Sequence, residues 1–377
     1  MAAQAGPNDK RGRGPVPSEI RAAVCHAFNT PLKIETLQLR DPGPGEVQVT
    51  LEAVAICHSD ISYMEGAWGG ALPAVYGHEA AGRVTALGPG VTALAEGERV
   101  LVTLIRSCGH CPSCTTAKPV YCTGNQPLPP ELTLSDGTEV NKAMNCGAFA
   151  ERVTVHVSQT APIGEDIPGE VACLLACGVP TGVGAAVNTA SVRPGDVVVV
   201  IGAGGVGLNA IQGARIAGAA HIIALDLEET KLDVALEFGA TAALLASGET
   251  PWRAAKSAAG GRAADHVFVS VGAIPAYDMA NRFLAPGGTV YAVGMPHSGG
   301  TSAYEPVILA ATGQGMRGSL MGEVVLGRDI PWMVELYRQG RLKLDELISN
   351  RWRLDQINEA IADTNTGQAR RNVILFD

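Results

Sequence analysis

Aromatic residues make up only 5% of this 377-residue chain. A compact bundle of helices locked by large rings is therefore a poor fit. Positive charge is also in deficit, with 28 Lys and Arg against 37 Asp and Glu, a net charge of −9. That excludes sequence-independent nucleic-acid binding, which is carried by Lys and Arg on phosphates. No apolar run reaches the roughly 18 residues of a membrane-spanning helix. The stretch Met1–Pro17 lacks the apolar core of a secretory signal. The expectation is a disordered tail over 1–18, no membrane partner and a cytoplasmic location.

Glycine is abundant, at 46 residues, and 46% of the chain is hydrophobic. This composition suits an α/β protein with tight strand–helix turns, of about two or three domains. The nine cysteines are an odd count. In a reducing compartment, clustered cysteines read as metal ligands before disulfides. Cys108, Cys111, Cys114 and Cys122 form C-x₂-C-x₂-C-x₇-C in a polar stretch with no core of its own. Four thiolates so spaced can enclose one structural zinc ion.

Residues 20–105 read as β-rich. Strand patterns occur at 47–54 and 82–87, and again near 148–155. From about 180 the pattern changes to alternating apolar strands (197–201, 221–226, 242–245, 266–271, 289–293) and helices (206–217, 228–238). Such alternation predicts a doubly wound parallel sheet. Helices are expected again at 330–339 and 354–364, with a final strand over 372–376.

Gly202-Ala203-Gly204-Gly205-Val206-Gly207 follows the first of those strands. G-x-G-x-x-G permits a tight turn, close approach of a pyrophosphate and close helix–strand packing. The helix N-terminus then offers free N–H groups to phosphate. Asp226 ends the next strand, where a carboxylate accepts hydrogen bonds from a ribose and repels a 2′-phosphate. No arginine follows in Leu227-Glu228-Glu229. NAD is therefore expected rather than NADP, with Lys231 as a further ribose contact.

A second set of metal-type residues is dispersed: Cys57 in I-C-H-S-D, His78 in G-H-E and Cys177 in A-C-G-V-P-T-G. Two thiolates and one imidazole are one known ligand set for catalytic zinc, which keeps a fourth position open. From spacing alone, small core cysteines and a structural histidine remain an equal alternative.

Taken together, C-H-S-D, G-H-E, the four-cysteine run, A-C-G-V-P-T-G, G-A-G-G-V-G and the terminal R-x-V-I-L-F resemble the zinc-dependent alcohol dehydrogenases of the medium-chain dehydrogenase/reductase superfamily. The resemblance runs from about residue 20 to the end. It implies a GroES-like β-barrel catalytic domain (19–180 and 322–377), bearing the structural-zinc lobe (106–123), and a Rossmann coenzyme domain (181–321). It also implies two zinc ions per chain. Cys57, His78 and Cys177 would bind the catalytic ion, with Asp60 orienting His78 and Glu79 behind the metal. Ser59 would meet the substrate oxygen and pass its proton to a cofactor ribose. Many members continue that relay with a histidine where Ser62 stands here, so water or His58 is expected to replace it. His58 and Arg371 would reach the pyrophosphate, Thr181 the nicotinamide, and Val293 would be a further cofactor contact. Trp68, Ala143, Met144 and Met295 would line the substrate pocket. Pairing through an edge strand within 301–321 would give a homodimer or homotetramer.

The activity implied is reversible hydride transfer between an alcohol, primary with an aliphatic or aromatic tail, and NAD. Zinc would be the Lewis acid and NAD the hydride carrier. S-(hydroxymethyl)glutathione (formaldehyde) dehydrogenase is one alternative, although Trp68-Gly69-Gly70-Ala71 offers no carboxylate for glutathione. A polyol dehydrogenase is another, against which Cys177 counts, since that branch often has glutamate there. A non-catalytic NADH-binding structural protein is a third, and it would require loss of the Cys57–His78–Cys177 set.

Overall fold

A computed structural model describes residues 18–376. The tail expected over 1–18 falls outside them except for Ser18, which already opens the strand Ser18–Cys25.

Val197–Ile201 is buried along its whole length, as a strand covered on both faces must be. It lies inside a six-stranded parallel sheet. Across that sheet the order is Ala242–Leu245, His221–Asp226, Val197–Ile201, Ala264–Val269, Leu284–Ala292, Gly315–Gly318. The strand order reverses beside Val197–Ile201. Ligands of such sheets bind outside the carboxyl ends of the strands at that reversal. Helices Gly205–Ala217 and Glu229–Glu237 follow the first two strands in sequence. Three short helices around this sheet escaped the sequence reading, Pro251–Ala258, Ile274–Ala280 and Pro306–Thr312. Each is about two turns long, too short for a clear 3.6-residue period.

The rest of the chain builds a small closed barrel and a seven-stranded sheet. The barrel contains Ser18–Cys25, Lys33–Leu39, Ala74–Val75, Leu132–Thr133 and Glu139–Lys142. Glu46–Ala55 pairs with Glu79–Leu87, Arg152–His156 and Arg371–Leu375. The strand expected over 148–155 is thus shorter, Arg152–His156. Ahead of it Phe149 donates its N–H to Tyr76 O (2.8 Å) and accepts from Ala23 N (2.8 Å), so the chain here crosses between strands. The helix expected over 354–364 begins as a 3₁₀ turn, Leu354–Gln356, before Ile357–Asn365. Among the described residues no single helix is long and apolar enough to cross a membrane.

The last strand returns to the first half of the chain. Val373, Ile374 and Leu375 pair with Ala55, Val54 and Ala53. Ile56 N–H donates to Asn372 O at 2.9 Å. This carries Arg370 and Arg371 back to the residues around Cys57. Asn372, 1% exposed, anchors the return. Its Nδ2 donates to Asp363 Oδ2 (2.8 Å) and Thr364 Oγ1 (2.9 Å), and its Oδ1 accepts from Trp352 Nε1 (3.1 Å). Removing that amide strands several buried partners. Asn372→Ala should cost about 2–3 kcal/mol of stability, read as a lower urea midpoint with unchanged slope.

Candidate active site

Cys57 caps the helix His58–Met64. Asp60, three residues on, closes the cap by accepting the Cys57 N–H on Oδ2 (3.2 Å). The same carboxylate, fully buried, accepts Gly77 N–H (2.9 Å) and holds His78 Nδ1 (3.0 Å) on Oδ1. Gly77 has φ +92, and a Cβ there would lie 2.6 Å from Phe149 N. Only glycine turns the chain here so that His78 faces inward. His78 Nε2 is buried with no hydrogen-bond partner.

Cys177 is delivered by a break. The helical stretches Gly169–Ala176 and Gly178–Thr189 meet at 51°, and Cys177 sits between them with φ −148. The ligand atoms of Cys57, His78, Glu79 and Cys177 all lie within 4.8 Å of one another. An unpartnered imidazole nitrogen facing two sulfurs is the donor set zinc takes.

Electrostatics point the same way. The Cys57 thiol is held well below its usual value, first by its hydrogen bond with Cys177. Cys177 is pushed well above by the same contact, then by burial. Desolvation opposes the His78 imidazolium, but Asp60 and Cys57 overcome it and raise His78. Burial pushes Glu79 up to about 7 against the pull of Arg371, to which it is hydrogen-bonded.

The four remaining expected ligands also converge. Cys108, Cys111, Cys114 and Cys122 have their sulfurs within 4.8 Å of one another. Cys108 N–H donates to Cys122 Sγ and Cys111 N–H to Cys108 Sγ, both at 3.3 Å. Backbone N–H groups, that of Cys114 first, hold Cys111 down to about 5. Burial pushes Cys114 up to about 12.

The glycine turn follows Val197–Ile201. Gly202 has φ +98, and a Cβ on Gly207 would fall 1.8 Å from Gly202 O. A Cβ on Gly204 would meet no protein atom within 4 Å. That open side is the cradle a pyrophosphate needs. Asp226 Oδ2 accepts the Ala203 N–H at 2.7 Å, and its Oδ1 accepts Leu227 N–H at 2.8 Å. Lys231 Nζ stands 3.9 Å from Asp226.

With this geometry in hand, relatives decide the family. Models of an alcohol dehydrogenase GroES-like domain and of a zinc-binding dehydrogenase match residues 43–165 and 205–339. An NDMA-dependent alcohol dehydrogenase of Amycolatopsis methanolica is 34% identical, covering 95% of this chain and 99% of that protein. The chain belongs to the zinc-dependent alcohol dehydrogenase family of the medium-chain dehydrogenase/reductase superfamily. An S-(hydroxymethyl)glutathione dehydrogenase of Paracoccus denitrificans is 33% identical, covering 94% and 99% of the two chains. The crystal structure of a benzyl alcohol dehydrogenase from Acinetobacter calcoaceticus matches with a TM-score of 0.89 at 30% identity, over 96% of this chain and 100% of that one.

Other expected residues of this dehydrogenase are scattered more widely. His58, Ser59 and Ser62 lie on the helix that Cys57 caps. Thr181 is buried, with Oγ1 3.6 Å from Met321 Sδ. Val293 N–H donates to Val269 O at 3.0 Å. Trp68 donates Nε1–H to Pro296 O at 3.3 Å and meets Tyr63 edge-on at 5.0 Å. Met295, beside Pro296, is 57% exposed. Ala143 and Met144 pack against the apolar barrel core. Arg371 turns its guanidinium to Glu79, and its stem passes Gly205.

Met321 was not anticipated. Its Sδ is 3.7 Å from Cys177 Sγ, 144 residues away, and no local motif marks it. Asp60→Asn keeps the size of the side chain but removes the charge that orients His78. It should lower zinc affinity about 10- to 100-fold, measured by chelator competition on the folded protein.

Proposed function

We propose that this chain is an NAD-dependent, two-zinc alcohol dehydrogenase acting on small primary alcohols with aliphatic or aromatic tails. The observation that carries the reading is the convergence of Cys57, Cys177 and the unpartnered His78 Nε2. Bound zinc would supply Lewis acidity at the alcohol oxygen, and the nicotinamide would accept the hydride.

The chain's own residues do the rest. Asp60 fixes the His78 ring with Nδ1 engaged and Nε2 inward. Ser59 takes the substrate proton in this reading, with Ser62 and His58, on the same helix, as the further route. Thr181 and Met321 pack beside Cys177 and exclude water from it. Asp226 favours NAD over NADP by charge. Trp68, and Met295 beside its Pro296 partner, form the outer wall on which substrate size is read. The division proposed is a catalytic part, 19–180 and 322–377, and a coenzyme part, 181–321. The return of Arg371–Leu375 to the Glu46–Ala55 strand supports it.

A panel of primary, secondary, aromatic and polyol substrates with NAD should show strongest NADH formation with primary alcohols. Glutathione-supplemented formaldehyde is the control for the second reading, which the Paracoccus relative favours. NADH absent while NDMA is bleached would remove free NAD as the acceptor. Cys57→Ala should abolish turnover and lose about one zinc per chain while the fold persists. Cys108→Ala should instead lower thermal stability, because a structural zinc contributes folding energy. Unchanged melting and metal content in Cys108→Ala would defeat the two-zinc reading.

We further infer that the chain pairs with a second copy. Gly315–Gly318 is one of the two edge strands of the parallel sheet. Around it Tyr304, Val307, Ile308 and Met316 are 43–67% exposed. An open apolar edge of this kind invites strand pairing. Light scattering after gel filtration should give a dimer or a multiple of it. Met316→Lys should shift that mass toward the monomer, and a monomeric parent protein would refute the inference.

A further inference from the structure

Just after the strand Gly315–Gly318, three consecutive residues, Met321, Gly322 and Glu323, have φ of +49, +59 and +50. Glycine takes this left-handed region freely, whereas Met and Glu enter it at a cost in free energy. Such strain persists only where surrounding contacts hold it. Here the contacts lie on two sides. On the inner side Gly322 seats against the helix that follows Cys177. A Cβ on Gly322 would lie 2.2 Å from Pro180 O and 2.7 Å from Gly184 Cα. Asn188 Nδ2 donates to Gly322 O at 3.1 Å. Met321, itself buried, thereby brings its Sδ to 3.7 Å from Cys177 Sγ and 3.6 Å from Thr181 Oγ1.

On the outer side two contacts converge on one carboxylate oxygen. Glu323 Oε1 accepts from Arg317 Nη2 at 2.5 Å and from Tyr121 Oη at 3.1 Å. The Glu323 side chain is only 13% exposed, so these contacts are partly withdrawn from water, where such pairs are weak. Arg317 is itself fixed, donating Nη1–H to Thr189 O at 3.0 Å. Tyr121 ends the 3₁₀ turn Pro119–Tyr121, directly ahead of Cys122. Burial, and then the Glu323 carboxylate, pushes the Tyr121 phenol up, which keeps it a donor at neutral pH. Glu323 thus ties the strained turn to the four-cysteine lobe.

We propose that Glu323 is a positioning residue that holds Met321 over Cys177, and so couples the four-cysteine lobe to the Cys57–His78–Cys177 centre. This rests on the zinc reading above. Glu323 acts through Met321, whose thioether and methyl group shield the Cys177 sulfur. The apolar surroundings of a metal site control its access to solvent and its dielectric. A loosened Met321 would therefore admit water, protons and chelators on the Cys177 side. A glycine at 323 would satisfy the backbone unaided. The chain instead carries a carboxylate at a strained position, where its side-chain contacts offset the strain. No local motif marks the arrangement, since Tyr121 and Glu323 are 202 residues apart.

The test uses the full-length, zinc-loaded protein and follows release of zinc to a coloured chelator. The release phase missing from Cys57→Ala reports the Cys57–His78–Cys177 centre. Glu323→Ala should speed that phase about tenfold, the lower end of the effects of residues around a metal's ligands. The four-cysteine phase should change less. Glu323→Gln keeps an acceptor for Tyr121 and should recover part of the parental rate. Tyr121→Phe should speed the same phase by a smaller factor. Because Glu323 acts through Met321, adding Glu323→Ala to Met321→Ala should speed release no further, whereas independent changes would multiply. A parental rate in Glu323→Ala overturns the proposal, as does an equal acceleration of both phases or a multiplied effect in the double variant. A parental rate in Tyr121→Phe overturns the coupling to the four-cysteine lobe, and this variant decides alone if Glu323→Ala does not fold. If the parent lacks the Cys57-dependent phase, the zinc reading falls and the inference with it. Where that phase is present and Glu323→Ala leaves it unchanged, only the present inference is removed.

Discussion

The buried Asp60 carboxylate holds the active site together. It closes the cap of the helix that presents Cys57, receives the Gly77 N–H and grips His78 Nδ1. Two candidate ligands from separate elements are thus set by one side chain. A charge this deep is tolerated because each of its oxygens is hydrogen-bonded. Its effect reaches the imidazole directly. With Nδ1 engaged, Nε2 is the nitrogen left to bind a metal.

Cys177 reaches the same point by another route. The bend at Cys177 belongs to a buried, glycine-rich stretch whose packing leaves room for other groups. Gly178 is small where the Arg371 guanidinium passes, since a Cβ there would lie 2.8 Å from Arg371 Nη2. Arg371 arrives on the C-terminal strand, which is held by Asn372 and by its pairing with Ala53–Ala55. The site is therefore assembled from the first strands of the chain, its middle and its last residues. Local misfolding at either end would be felt at the metal.

How much of this was legible in the sequence follows from range. Buried apolar runs alternating with helix-like stretches announced the parallel sheet. Val197–Ile201 was found with its bounds intact, because burial on both faces leaves an unbroken apolar signature. The four-cysteine lobe was legible because its ligands are neighbours. The Cys57–His78–Cys177 set was ambiguous from spacing and became clear only through the company of other motifs. What stayed hidden was non-local or a matter of side-chain direction. Met321 lies against Cys177 from a distant turn. Arg371 turns inward to Glu79, a direction that no local pattern in the Arg-Arg pair marks. Ala143 and Met144, expected at the pocket, are partly buried and pack against the barrel core, and an apolar residue in a loop carries no mark of which side it faces.

The charges at the centre explain why such a site needs its metal. Cys57, Cys177 and Glu79 are acidic groups crowded at one point, and Arg371 and the raised His78 imidazole face them. The contact between the sulfurs and burial accordingly push Cys177 well up, and burial draws Glu79 up to about 7. A dication at the unpartnered His78 nitrogen would favour both sulfurs as thiolates.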